Sequence, residues 1–470
     1  MKHALRLFQR NPGFTAISIF TLALGIGATT AVFAVVNSVL IEPLPYPDSD
    51  RLVHVWEVGA DGGLAMPSDP NFEDLRELNR SFGSLAQYRA STGISVRGMA
   101  VQATAALVGD GFFETLGVGP VLGRTPLPDE QRAGAARVAV VSQAFWRERL
   151  GGATDLSALT VRIDDETYQV IGVMPPGFAF PSDAEVWAPR EPWMDGPSGR
   201  TGRNSRVLAR LRPGTSLEQA RQDLSEVAGR LNARYGEDTW MVDAAVVPLK
   251  EDLVGQVRPA LLVQLGAVGF LLVVASVNVL NLLLARLMAR GREVALRTAL
   301  GAGRWQLVRQ FVTEAGVLSL AGTALGLVLA DRVTAALRAT QPAGLPRVDE
   351  LTLGWPALLF ALGVSLRVSV ALGCTVAVRG NAMDLRASLH EERSDQPGVM
   401  SRGLRHTLVG AQIAVTLALL VGAGLLARSL WILLETAPGF RTSNVATLTL
   451  YQPPRPATPR CSARRKPATR

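Results

Sequence analysis

Five stretches of this chain are apolar for long enough to cross a bilayer, and one long polar insert separates the first from the second. The first is the uncharged run between Arg10 and Glu42; Leu261–Leu284, Gln310–Ala330, Trp355–Val378 and Thr407–Ala427 follow it. A crossing needs about 20 mostly apolar residues, so the pattern predicts an integral membrane protein. The insert, roughly 215 residues, is large enough to fold as a domain of its own. The fold class expected is a membrane α-helical bundle of about five transmembrane helices, with a mixed α/β insert between the first and second. At 1.5 Å per residue, about 28 helical residues in the first run reach roughly 42 Å, which predicts a stalk continuing beyond the bilayer below the insert.

Within the insert the period changes. Val138–Ser142 is a buried-strand candidate followed by a helical Gln143–Leu150 and the break Gly151-Gly152. Thr160–Ile163 and Tyr168–Val173 flank the acidic turn Asp164-Asp165-Glu166 and read as a hairpin. Val207–Leu211 is another strand, ended by Arg212-Pro213-Gly214. Thr215 or Ser216 then caps a helix running to about Tyr235, with Leu217, Ala220, Leu224, Val227 and Leu231 near helical spacing. Val242–Val247 is the final strand expected before the chain re-enters the membrane.

Charge sets the orientation expected. The chain has 470 residues and a net charge of +8, nearly all from arginine; lysine occurs only at Lys2, Lys250 and Lys466. No basic patch is interleaved with aromatics, so nucleic acid is not an expected partner. Lys2, Arg6 and Arg10 precede the first run without an acid among them. The loop after the second carries Arg286, Arg290, Arg292, Arg297, Arg304 and Arg309 against Glu293 alone. The loop after the fourth carries Arg379, Arg386, Arg393, Arg402 and Arg405, partly offset by four acids. The positive-inside bias then places the N-terminus and both Arg-rich loops in the cytoplasm and the insert outside. Met1–Arg10 reads either as an amphipathic helix in the headgroup plane, ended by Asn11-Pro12-Gly13, or as a frayed basic tail. The first run is too long for a cleavable signal and is expected to be an uncleaved anchor. The two cysteines, Cys374 and Cys461, both lie outside the insert and do not report its redox compartment.

The small and polar residues within the apolar runs are the candidates for special roles. Ala23, Gly27 and Ala31 recur every fourth residue, which either permits close helix–helix contact or reflects ordinary small-residue content. Asn278 and Asn281 share a helix face and fit interhelical hydrogen bonding better than a transport site. Glu314 is an intramembrane carboxylate shallow enough to reach the interface. Arg367 sits near the centre of the fourth run, where an arginine costs about 2.5–3.5 kcal/mol on insertion scales, and no acid in that run can pair with it. Either another helix compensates it or the span is marginal; Glu314 qualifies only at a similar depth. No Gly-Lys pair occurs, so no P-loop lysine is present in these residues. His3, His54, His390 and His406 form no HExxH spacing, and no GxSxG elbow exists. No catalytic residue, cofactor or metal site is expected.

Several segments resemble MacB/FtsX-type ABC transporter permeases, particularly the large duplicated permeases of acidobacteria and related bacteria. Asn11-Pro12-Gly13-Phe14 with Thr21-Leu22-Ala23-Leu24-Gly25-Ile26-Gly27-Ala28 resembles that group's opening signature, and Pro43-Leu44-Pro45-Tyr46-Pro47 its next landmark. Gly111-Phe112-Phe113, Leu116-Gly117-Val118, and Gly172-Val173-Met174-Pro175 with Gly177-Phe178 resemble its periplasmic core domain. The segment from Arg292 to Ala302 resembles the FtsX-like loop that meets the ATPase. The resemblance implies mechanotransmission: a cytoplasmic ABC ATPase, supplied in trans, moves the stalks and an α+β periplasmic domain. Arg292, Glu293, Arg297, Gly301 and Ala302 would form or flank the coupling segment, unless those arginines act only as topology determinants. It further implies a homodimer or permease dimer in the bacterial inner membrane, in contact with lipid, and allows a periplasmic adaptor.

The resulting organisation assigns 1–13 to a cytoplasmic amphipathic segment and 14–41 to the first helix and stalk. The periplasmic core domain takes 42–257, and a three-helix permease domain 258–380. A cytoplasmic linker follows at 381–403, then a fifth helix at 404–434 and a periplasmic or aberrant tail at 435–470. The sequence departs from the group's pattern in three ways. No ATPase is joined to it; Arg367 stands at an apolar family position, with Val376 near where a proline is expected; and Leu404–Phe440 resembles only the start of a second repeat. The segment from Pro453 to Arg470 is rich in Pro and Arg and free of acid, which suggests a truncated or frameshifted gene. The alternatives to an export permease are a membrane scaffold regulating a periplasmic enzyme and an inactive remnant.

Overall fold

The computed structural model describes residues 12–96, 99–132, 134–163, 166–181, 183–190, 199–203, 205–289, 304–340, 347, 351–387 and 399–435. The chain divides into two compact units, Met1–Glu42 with Val254–Ser443, and Pro43–Leu253 with Asn444–Arg470. The amphipathic segment 1–10, the acidic turn residues Asp164 and Asp165 and the tail 436–470 lie outside the described residues.

The insert is a mixed sheet with helices. In chain order its elements are β1 (Leu52–Val58), β2 (Leu64–Ala65), α1 (Asp69–Leu78), β3 (Phe82–Val96), β4 (Met99–Val108), α2 (Phe112–Leu116), β5 (Leu122–Gly123), β6 (Val138–Val141), α3 (Gln143–Arg149), β7 (Thr160–Ile163), β8 (Glu166–Val173), β9 (Val186–Pro189), β10 (Arg206–Leu211), α4 (Leu217–Tyr235), β11 (Asp243–Pro248) and α5 (Leu249–Val254). The strands form one 11-stranded sheet in the order β11–β1–β10–β3–β4–β9–β6–β8–β5, with β2 on β1 and β7 joining β3 and β8. Pairs β4/β9 and β6/β8 are parallel, and the others antiparallel. The expected 160–173 hairpin is β7/β8, with Val161 opposite Tyr168.

Two-residue periodicity explains how both faces of β1 are covered. Leu52 joins a core of Tyr88, Phe112, Phe113, Leu116, Met174, Phe178, Trp187 and Leu208. Val53 and Val55 point the other way and pack with Val207, Ala209 and Val246 against Ala220, Leu224, Val227, Ala228 and Leu231 of α4. A strand buried on both faces reads as a continuous apolar run rather than an alternation. Helix α4 starts at a capping box: Ser216 Oγ accepts from the Gln219 amide, and the Gln219 side chain accepts from the Ser216 amide. Helix α2 is framed by Gly111 (φ 76°) and Gly117 (φ 70°), positions where an L side chain would be strained.

The five apolar helices are Pro12–Val36, continued by one π turn at Asn37–Ile41, then Arg258–Ala289, Arg304–Thr340, Trp355–Ala387 and Val399–Glu435. All five are long and apolar enough to cross a membrane; the first is the most buried and the fifth the least. Pro12 and Gly13, expected to end a preceding segment, are already helical, which suits the fixed φ of a proline in a first turn. The helices also overrun their apolar stretches, because flanking arginines are good helix formers. Leu22 and Ile26 of the first helix pack with Val279, Leu280 and Leu283 of the second, Ala315 and Leu318 of the third, and Ala361, Val368 and Leu372 of the fourth.

Candidate functional site

A close backbone contact joins the first apolar helix to the third. A Cβ placed on Gly27 would lie 2.8 Å from the Gly326 carbonyl oxygen, and one on Gly326 would lie 3.0 Å from the Ala23 carbonyl. Gly322 meets the same surface, with a built Cβ 2.8 Å from Leu22 Cβ. Ala23 and Ala31 are buried. The Gly322-x3-Gly326 pair on the third helix escaped sequence reasoning, although its small-xxx-small spacing was the signal that could have found it. On another face of the first helix, a Cβ on Gly25 would sit 3.1 Å from Ala275 Cβ. There Thr29 Oγ1 donates to the Gly25 carbonyl (2.7 Å) and lies 3.2 Å from the Val268 carbonyl on the second helix. Phe33 stacks on Phe360 of the fourth helix at 4.0 Å between centroids.

The polar residues of the helices are placed separately. Asn278 is exposed and its Oδ1 accepts from Gln412 Nε2 of the fifth helix at 2.6 Å. Asn281 is half-buried and makes no hydrogen bond among the described residues. Glu314 is buried and accepts from Gln310 Nε2, one turn earlier, at 3.2 Å. Arg367 is exposed, and no ion pair links it to Glu314. Glu314 is buried whereas Arg367 is exposed, and register adds to the separation: Gly373 abuts Val312, with a built Cβ 2.5 Å from Val312 Cα. Counting from that contact at 1.5 Å per residue, Arg367 and Glu314 differ in height by about 6 Å.

Two further contacts lie at the ends of this helical unit. Where the first helix ends, Asn37 Nδ2 donates to Glu42 Oε1 (2.6 Å), and Arg347 Nη1 donates to the Glu42 carbonyl (3.1 Å). At the other end of this unit, the Arg286 guanidinium lies 4.8 Å from the Phe14 ring centroid, a cation–π contact that ties the last turns of the second helix to the start of the first. The expected coupling residues Arg292, Glu293, Arg297, Gly301 and Ala302 lie outside the described residues.

Inside the insert, polar side chains are buried in small networks. Glu57, fully buried, accepts from the Ser68 amide (3.0 Å) and Asn71 Nδ2 (2.8 Å); burial pushes its carboxyl pKa up despite these bonds. Arg200 donates to Asn71 Oδ1 (2.8 Å) and Asp74 Oδ2 (2.5 Å) while its guanidinium covers the Tyr235 ring at 3.6 Å. Arg190 bonds Asp69 (2.5 Å) and Ser205 (2.9 Å). His54 Nδ1 lies 2.7 Å from Asp252 Oδ2, and Tyr88 Oη 2.8 Å from His54 Nε2. Sequence reasoning weighed His54 only as a metal ligand and missed this chain. Among the described residues, no group of three or more His, Cys, Asp or Glu is arranged to hold a metal.

Comparison with known proteins gives two family matches: a MacB-like periplasmic core domain over residues 15–227, and an FtsX-like permease C-terminal region over residues 265–382. Among curated relatives, the macrolide export ATP-binding/permease protein MacB of Burkholderia cenocepacia (strain HI2424) is 28% identical over 236 residues, covering 50% of this chain and 34% of that protein. The pyoverdine export ATP-binding/permease protein PvdT of Pseudomonas syringae pv. syringae (strain B728a) is 25% identical over 288 residues, covering 60% and 42%. The chain thus spans about a third of the first relative's length. Among solved structures, the periplasmic region of MacB from Actinobacillus actinomycetemcomitans is similar at 13% identity and a TM-score of 0.34, over 45% of this chain and 94% of that one.

Proposed function

Because the chain belongs to the MacB/FtsX type of ABC permease, we propose that it is an export permease subunit that converts ATP hydrolysis by a separate cytoplasmic ATPase into movement of a periplasmic domain. The backbone contact between Gly27 and Gly326 carries this reading. Two helices packed backbone to backbone leave no room for a substrate between that pair, and would move together. That suits transmission of force better than conduction. Arg286 on Phe14 would stiffen the same bundle next to the coupling segment. That segment, Arg292 to Ala302, is a short charged stretch suited to docking in a groove of the ATPase. The arginine bias would hold it in the cytoplasm and keep the insert in the periplasm. The relatives' names pair permease and ATP-binding functions in one protein; here the nucleotide site would be supplied in trans, to a homodimer or permease dimer, with an adaptor on the periplasmic side.

The test is purification of the tagged full chain from its native membrane, with co-purifying proteins and ATPase activity recorded. A stoichiometric ABC ATPase, lost when Glu293→Arg and Arg297→Glu are combined, is the expected result. A stable chain that brings down no ATPase, and instead a periplasmic hydrolase, would replace this reading with that of a regulatory scaffold.

A further inference from the structure

Helix α5 follows β11 directly, and after three intervening residues the second apolar helix begins. It is six residues long, too short to persist without docking. One side does the docking. Leu249 is fully buried in the core that holds Tyr88 and Leu208, and Leu253 packs against the same core. Between them Asp252 reaches His54 on β1. His54 lies opposite Leu208 of β10 and Val247 of β11, in the interior of the sheet.

The hydrogen-bond directions in this chain of three follow from the tautomer of His54. Tyr88 is almost fully buried, and burial pushes its phenol pKa up against the pull of the nearby Arg206 guanidinium, so it stays protonated. With His54 as the Nδ1–H tautomer, the phenol O–H donates to Nε2 and the Nδ1–H donates to the Asp252 carboxylate. His54 is 1% exposed, whereas the Asp252 side chain retains 22%. The buried end is anchored in the sheet; the end that can let go is on the helix.

We propose that Asp252, His54 and Tyr88 form a latch that decides whether α5, and with it the lead-in to the second apolar helix, moves with the sheet or separately from it. An apolar residue at 252 would hold α5 by packing alone. A charge-assisted bond at one point is directional: it sets one docked position and breaks in one step. Its use in transmission rests on the permease reading above; the latch itself does not.

Hydrogen exchange on the full chain in lipid nanodiscs tests it. Asp252→Ala removes a partly exposed side chain and opens no core cavity. Exchange of peptides covering 249–257 is expected to accelerate about tenfold or more, the usual weight of a hydrogen bond to a charged group. Peptides from β1 and β10 should keep their protection. Asp252→Asn, which retains a neutral acceptor for Nδ1–H, should return part of the loss, and Glu251→Ala on the same helix should change nothing. Equal acceleration across β1 and β10 would show a general stability effect and overturn the latch. Unchanged exchange in 249–257 would overturn it too. Failure of an ATPase to co-purify removes the permease reading and leaves the exchange result standing.

Discussion

At the level of single residues, close contact and burial make separable predictions. Gly27→Ala drives a methyl to 2.8 Å from the Gly326 carbonyl oxygen, a backbone atom that cannot rotate away. The helices must part, and the expected cost is about 1–3 kcal/mol. Gly316→Ala, in the third helix with nothing within 4 Å of its Cβ, should instead be neutral or gain up to about 1 kcal/mol from helix propensity. Thermal unfolding of the two variants in detergent separates these outcomes. Glu57 gives a pH-dependent test. Its carboxyl pKa is raised in the folded state, chiefly by burial. Folding therefore takes up a proton, and this group's contribution to stability falls as pH rises from the ordinary carboxylate value through the raised one. Glu57→Gln keeps an acceptor for Ser68 and Asn71 and removes the charge. The stability of wild type relative to Glu57→Gln should decline with rising pH across that window and then level off; a flat difference would show that the charge is not the cost. The sequence displayed Gly27 through its spacing but not its partner, because contacts between distant segments leave no local period. His54 and Asp252 are 198 residues apart, and no window of sequence joins them.

Elements were legible where a local rule was enough. Helix α4 has a capping box, a 3.6-residue apolar stripe and one solvated face, and its limits came directly from the sequence. The same box yields a prediction: Ser216→Ala orphans the Gln219 amide and should lower stability by about 1 kcal/mol, read as a lower denaturation midpoint with an unchanged slope. Strands β1, β3, β4 and β9 were not read. β1 is covered on both faces and lacks alternation. β4, Met-Ala-Val-Gln-Ala-Thr-Ala-Ala-Leu-Val, is rich in alanine, which has little strand preference of its own; pairing with β3 and β9 supplies what its composition lacks. The π turn at Asn37–Ile41 was likewise hidden, since nothing in Asn-Ser-Val-Leu-Ile distinguishes it from an α-helical turn. The hydrogen bonds at Glu42 hold it.

For the whole molecule, hydrophobic length alone gave the count of apolar helices and the place of the insert, because bilayer thickness is a constraint that every crossing meets by itself. Orientation is a different matter: it depends on charge, and the charge distribution predicts one sign for it. Arg286 to Arg309 and Arg379 to Arg405 flank the second through fifth helices on one side, whereas the 331–354 region between the third and fourth has few cations. Reversing the chain would carry both clusters through the membrane, against the positive-inside bias. Single cysteines on a background with Cys374 and Cys461 replaced by serine put this to the test. Glu226, exposed on α4, reports the insert, and Arg402, in the first turn of the fifth helix, reports the end at which that helix starts. A membrane-impermeant maleimide should label Glu226→Cys in intact spheroplasts and Arg402→Cys only after lysis. The opposite pattern would place the insert in the cytoplasm and remove the periplasmic role. Labelling of both in intact cells would mean that the fourth helix does not cross, and the exposed Arg367 near its centre would then be the reason.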